Sequence, residues 1–69
     1  MQIIINGLKQ DVASPITLSG LLAGLNISRT RIAVELNMNI IDRQQFDQVF
    51  LKEGDRLEII NFVGGGSLR

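Results

Sequence analysis

The sequence predicts an α+β fold, a mixed four- to five-stranded sheet with one main helix packed across one face. Three observations predict it. Short β-branched or alternating segments recur along the chain, the period-two pattern of half-buried strands. A single segment carries apolar residues at helical spacing. The chain has 69 residues, 45% of them apolar, enough for one small core.

Residues 2–6, QIIIN, read as the first strand. Asn6-Gly7 is the strongest short hairpin signal, so residues 8–12, LKQDV, return beside it with Lys9 and Asp11 facing solvent. Ser14-Pro15 ends that strand, because proline has no N–H to give to a ladder. Leu18, Leu21, Leu22 and Leu25 draw one apolar stripe on a helix, with Thr17 placed to cap it. Gly20 and Gly24 each weaken that helix by roughly 1 kcal/mol relative to alanine. They share one helix face, which suggests close packing against a neighbour.

Residues 31–37, RIAVELN, alternate: Ile32, Val34 and Leu36 point one way, Ala33 and Glu35 the other. Asn37, Met38 and Asn39 turn the chain into a short strand at Ile40-Ile41. The mixed stretch after it holds one irregular helical turn, with Phe46, Val49 and Leu51 as core plugs. KEGD is a turn with Gly54 at a positive φ, and residues 56–63, RLEIINFV, are the longest strand. Alternation places Ile3, Ile5, Leu57 and Ile59 on the helix side with Ile32, Val34 and Leu36. Leu18, Leu21, Leu22 and Leu25 should meet them. It leaves Ile4, Ile60 and Phe62 on the opposite side, an apolar patch of the kind that marks a partner surface.

Much chemistry is excluded. Without cysteine there is no disulfide, no zinc–thiolate site and no thiol nucleophile. Without histidine the commonest general base and metal ligand are missing, and no serine has one to activate it. The acidic pairs Glu53/Asp55 and Asp42/Asp47 read as solvated surface. Seven basic and seven acidic residues are scattered without a basic stripe, so no nucleic-acid partner is expected. The N-terminus lacks the pattern of a signal peptide, and no apolar run exceeds three residues. The expectation is a soluble, cytoplasmic monomer with no catalytic residue, bound cofactor or metal of its own.

The tail is the unusual feature. Residues 1–63 form the expected domain, and residues 64–69 a flexible glycine-rich extension. Glycines bury nothing, but they thread a slot too narrow for side chains and adopt any φ it demands. Extended, Gly64, Gly65 and Gly66 reach about 10 Å past the last strand. Such an arm suits delivery of a carboxylate into another protein's active site.

The chain resembles a known family. MQIIINGL, AVELNMNIIDRQQF and EGDRLEIINFVGGG, in that order and in a chain this short, are similar to the ThiS family of bacterial sulfur carrier proteins of thiamine biosynthesis. The resemblance covers residues 1 to 66. It implies a ubiquitin-like β-grasp domain, with the last strand parallel to the first at the sheet centre. It also implies a carrier rather than an enzyme. A ThiF-like adenylyltransferase, using ATP and Mg, would adenylate the terminal glycine. A cysteine desulfurase system would supply the sulfur that makes a thiocarboxylate, and a ThiG-like thiazole synthase would accept it. Ile4, Ile60 and Phe62 are then the expected docking residues for the adenylyltransferase and the sulfur acceptor. Ser67, Leu68 and Arg69 depart from the pattern: with them attached, Gly66 is an ordinary peptide. The expected reactive residue is Gly66 after their removal, with Gly65 the lesser candidate. The alternatives are sulfur delivery to molybdopterin, cysteine or tRNA thiolation, a ubiquitin-like protein modifier, and a non-catalytic β-grasp interaction module.

Overall fold

The computed structural model describes residues 1–62. The expected glycine-rich extension, residues 64–69, lies outside them, as does the last residue of the expected domain. The strands are β1 (Gln2–Ile5), β2 (Leu8–Asp11), β3 (Ile32–Leu36), β4 (Asn39–Ile41) and β5 (Arg56–Asn61), with helix α1 at Leu18–Gly24 between β2 and β3. Short 3-10 turns at Arg29–Arg31 and Arg43–Gln45 complete the chain's course. The five strands are ordered β2-β1-β5-β3-β4. β5 is therefore central, parallel to β1 and antiparallel to β3.

Both hairpins turn through a left-handed backbone, and each has an asparagine at its first turn position. Asn6 and Gly7, at φ 50° and 85°, form the two-residue turn that pairs Ile5 with Leu8. Asn37 and Met38, at φ 51° and 73°, do the same between Leu36 and Asn39. No glycine helps at this second turn, and Asn37 is tied down instead. Its N–H donates to the Arg56 carbonyl at 2.8 Å. Its Oδ1 accepts the Arg56 N–H at 3.0 Å, and its Nδ2 donates to Asp55 Oδ1 at 3.0 Å.

The core lies between the helix and one sheet face. Ile3, Leu57, Ile59, Ile32 and Val34 meet Leu18, Leu21 and Leu22, and Phe46 and Leu51 close the side. Ile5, Leu36 and Val49 pack against this cluster partly buried. Thr17 caps α1 as its position predicts, its Oγ1 accepting the Gly20 N–H at 3.1 Å.

Two expectations about α1 need correction. Leu25 is 44% exposed and does not join the core. The helix ends before it: Asn26 turns left-handed at φ 59°, its N–H donates to the Ala23 carbonyl at 3.1 Å, and the Ile27 N–H donates to the Leu22 carbonyl at 3.0 Å. This paired closure satisfies the last carbonyls and swings Ile27 onto the core in place of Leu25. The two glycines do not mark a close approach to another element either. A Cβ at Gly20 would meet only the Thr17 cap oxygen and the Ile16 side chain, at 3.2 Å and 3.3 Å, and one at Gly24 would meet nothing within 4 Å. Gly24→Ala should therefore stabilise the domain by about 0.4–1 kcal/mol through the lost freedom of the unfolded chain. That corresponds to a melting temperature several degrees higher, and an unchanged or lower one in a thermal melt would refute it.

Candidate functional site

The candidate site is built on β5, because the glycine arm follows it in sequence. The start of β5 is pinned by the KEGD turn. Gly54 sits at φ 84° and its N–H donates to the Gln2 carbonyl at 2.8 Å. Asp55 closes the turn: its Oδ2 accepts the Lys52 N–H at 2.7 Å, while its Oδ1 accepts from Asn37. Glu53 accepts the Gln2 N–H at 3.0 Å. Glu53 thus holds backbone at the start of β1, and Asp55 holds the backbone of the turn before β5 and the Asn37 side chain after β3.

Further along, β5 is held from both sides. On the β3 side, pairing continues from Leu36–Leu57 to Ile32–Asn61, and the Phe62 N–H donates to the Arg31 carbonyl at 2.9 Å. On the β1 side, backbone pairing covers only Arg56 and Leu57. The Asn6 side chain then takes over, its Oδ1 accepting the Ile59 N–H at 2.7 Å and its Nδ2 donating to the Ile59 carbonyl at 3.2 Å.

The sheet face away from α1 carries the expected docking residues, but the register separates them. Ile60 is 48% exposed and lies opposite Ala33. Phe62 follows on the same face, half-buried. Ile4 is half-buried and sits between Lys9 and Arg56. Arg56 is four positions before Ile60, about 13 Å along the strand. The structure thus brings Ile60 and Phe62 together and leaves Ile4 at the other end of the face. Glu35 and Glu58 lie directly opposite each other between them.

Of the acidic pair Asp42/Asp47, Asp47 has a structural role. Arg29 pairs with Asp47 at 3.2 Å, donates to the Arg43 carbonyl at 2.8 Å and lies 5.3 Å from the Phe46 ring centre. The Ser19 hydroxyl first, and then Arg29, hold the Asp47 carboxyl below the usual carboxylate range. Among the described residues no polar or charged residue is buried, and no group of three or more His, Cys, Asp or Glu is placed to hold a metal. No described helix is long and apolar enough to cross a membrane. Gly64, Gly65 and Gly66, the expected delivery arm, lie outside the described residues.

The ThiS family profile matches residues 3–66. The chain belongs to the ThiS family. The fold agrees: the crystal structure of thiamine biosynthesis protein ThiS from Geobacter metallireducens superposes with a TM-score of 0.82 at 33% identity, covering 96% of this chain and all of that one. The five-stranded mixed sheet with one helix is thus the β-grasp arrangement of ThiS. Sulfur carrier protein ThiS from Bacillus subtilis is 38% identical over 50 residues, 72% of this chain and 76% of that protein. A thiazole synthase from Paramagnetospirillum magneticum is 37% identical over 67 residues, 97% of this chain. The chain spans about a fifth of the length of that synthase and of a second one from Magnetococcus marinus.

Sequence reasoning treated Asn6 and Asn37 as turn formers and missed their side chains. A signal was present: each asparagine ends a strand that flanks β5. A short amide there is placed to reach the neighbouring backbone.

Proposed function

We propose that this chain carries sulfur for thiazole formation in thiamine biosynthesis, as a thiocarboxylate on Gly66. The observation that carries the reading is that the family match runs to Gly66 and leaves Ser67, Leu68 and Arg69 outside it. Hydrolysis of the Gly66–Ser67 peptide bond by a peptidase releases Ser67-Leu68-Arg69 and frees the Gly66 carboxylate, which attacks the α-phosphate of ATP in a ThiF-like adenylyltransferase, and pyrophosphate leaves. A persulfide from a cysteine desulfurase system then displaces AMP, and reduction of the resulting acyl disulfide by a thiol leaves the thiocarboxylate. Every catalytic group, ATP and Mg belong to the partners. The chain supplies an uncrowded carboxylate on a narrow arm and a face to dock. Thiazole synthase as the sulfur acceptor is supported by relatives of that name whose sequences contain a stretch similar to nearly this whole chain.

The test uses two chains, one ending at Gly66 and one at Arg69, each given adenylyltransferase, ATP and a sulfur source. Mass spectrometry follows the C-terminus. Thiocarboxylate is expected only on the chain ending at Gly66. If the longer chain reacts equally well and keeps its last three residues, Gly66 is not the reactive terminus. If neither chain reacts, the carrier reading fails.

A further inference from the structure

The β1·β5 ladder ends in an unusual way. The Ile4 N–H donates to the Asp55 carbonyl and the Asn6 N–H to the Leu57 carbonyl, both at 2.9 Å. Continuing that parallel register, the Ile59 N–H would bond the Asn6 carbonyl, and the Ile59 carbonyl would accept the N–H of residue 8. Neither backbone group is in place. Asn6 has turned left-handed at φ 50°, and Leu8 already belongs to β2, opposite Ile5. The Asn6 side-chain amide supplies both missing groups, Oδ1 to the Ile59 N–H at 2.7 Å and Nδ2 to the Ile59 carbonyl at 3.2 Å. One residue thus turns the first hairpin and extends the sheet by another step along β5. It bonds β5 three residues before Phe62, the last described residue.

We propose that Asn6 is a positioning residue for carrier chemistry: it clamps the outgoing half of β5 and thereby aims the glycine arm. The proposal rests on the carrier reading above. Asn6 acts through β5, which would otherwise be held beyond Leu57 by β3 alone. A frayed β5 would let the carboxylate wander without removing the Ile60 face from its partner.

Asn6→Gly is the informative variant, because Gly-Gly keeps the left-handed turn while both amide bonds are lost. Asn6→Asp keeps the acceptor for the Ile59 N–H and loses the donor. By hydrogen exchange on the full chain, the Ile59 amide of Asn6→Gly should exchange about tenfold faster relative to the Val34 amide. Asn6→Asp should retain most of the protection. In chains ending at Gly66, Asn6→Gly should lower kcat for adenylation about tenfold with KM nearly unchanged, and Asn6→Asp should restore much of it. Ile3→Val serves as a comparison, since it loosens the core without touching this clamp. Unchanged Ile59 protection in Asn6→Gly would overturn the clamp. A kcat loss equalled by Ile3→Val would overturn the aiming role. A parent chain ending at Gly66 that is not adenylated would sink the carrier reading and with it the aiming, while the exchange result would still decide the clamp.

Discussion

Leu57→Ala is expected to unfold the protein or nearly so. Leu57 is fully buried at the middle of the sheet, paired with Ile5 on one side and Leu36 on the other. Truncating a leucine in such a place costs about 2–5 kcal/mol, the lost transfer energy plus the cavity left behind. A domain of this size has roughly 3–10 kcal/mol in total. The position leaves little room for collapse, because β5 is held on both sides by backbone pairing. A urea or thermal melt measures the effect. An unchanged midpoint would mean that the buried face of β5 is not the one carrying Leu57.

Ile60→Asp is expected to do the opposite, leaving the fold and removing the function. Ile60 shares β5 with Leu57 but points to the face without a helix, and about half of it meets solvent. The replacement gives up some strand propensity, on the order of 1 kcal/mol, and empties no cavity. A carboxylate in the middle of an apolar contact is a larger insult to a partner, because it must be desolvated there without a counter-charge. Adenylation of the chain ending at Gly66 should fall about a hundredfold, the effect of a central docking residue. Its melting temperature should drop by only a few degrees. Normal turnover by this variant would remove Ile60 from the interface. Asn61→Asp, on the same strand, is a useful comparison for added charge alone.

Much of this was legible in local sequence, because the deciding forces are local. Alternation in IAVEL, and Glu58 between Leu57 and Ile59, mark the face that meets the core, and the buried set Ile32, Val34, Leu57 and Ile59 follows it. Asn6-Gly7 dictates its own turn. Thr17 caps the helix because an oxygen three residues before Gly20 reaches its N–H. The expectation that Gly66 is the reactive residue comes from the family resemblance, and Gly66 lies outside the described residues. The central, parallel place of the last strand came from family resemblance rather than from pattern.

What local pattern did not reach depends on groups that meet only after folding. Leu25 continues the apolar stripe, yet the αL turn at Asn26 ends the helix and hands the core contact to Ile27. Ile4 and Ile60 share a face by parity, but parity carries no register. Only the pairing of Ile4 with Arg56 shows that they stand at opposite ends of it. Composition, periodicity and turn chemistry by themselves determined which residues are apolar-facing, where the chain turns and which chemistries it lacks. The tertiary structure alone decided the order of the strands, the separation of Ile4 from Ile60 and the use of Asn6 and Asn37 as side-chain extensions of the ladder. The physical reason is that a hydrogen bond between residues 6 and 59 forms only once the chain has closed across the domain, and the entropic cost of that closure is offset by the burial of the core as a whole. No window of neighbouring residues contains that closure.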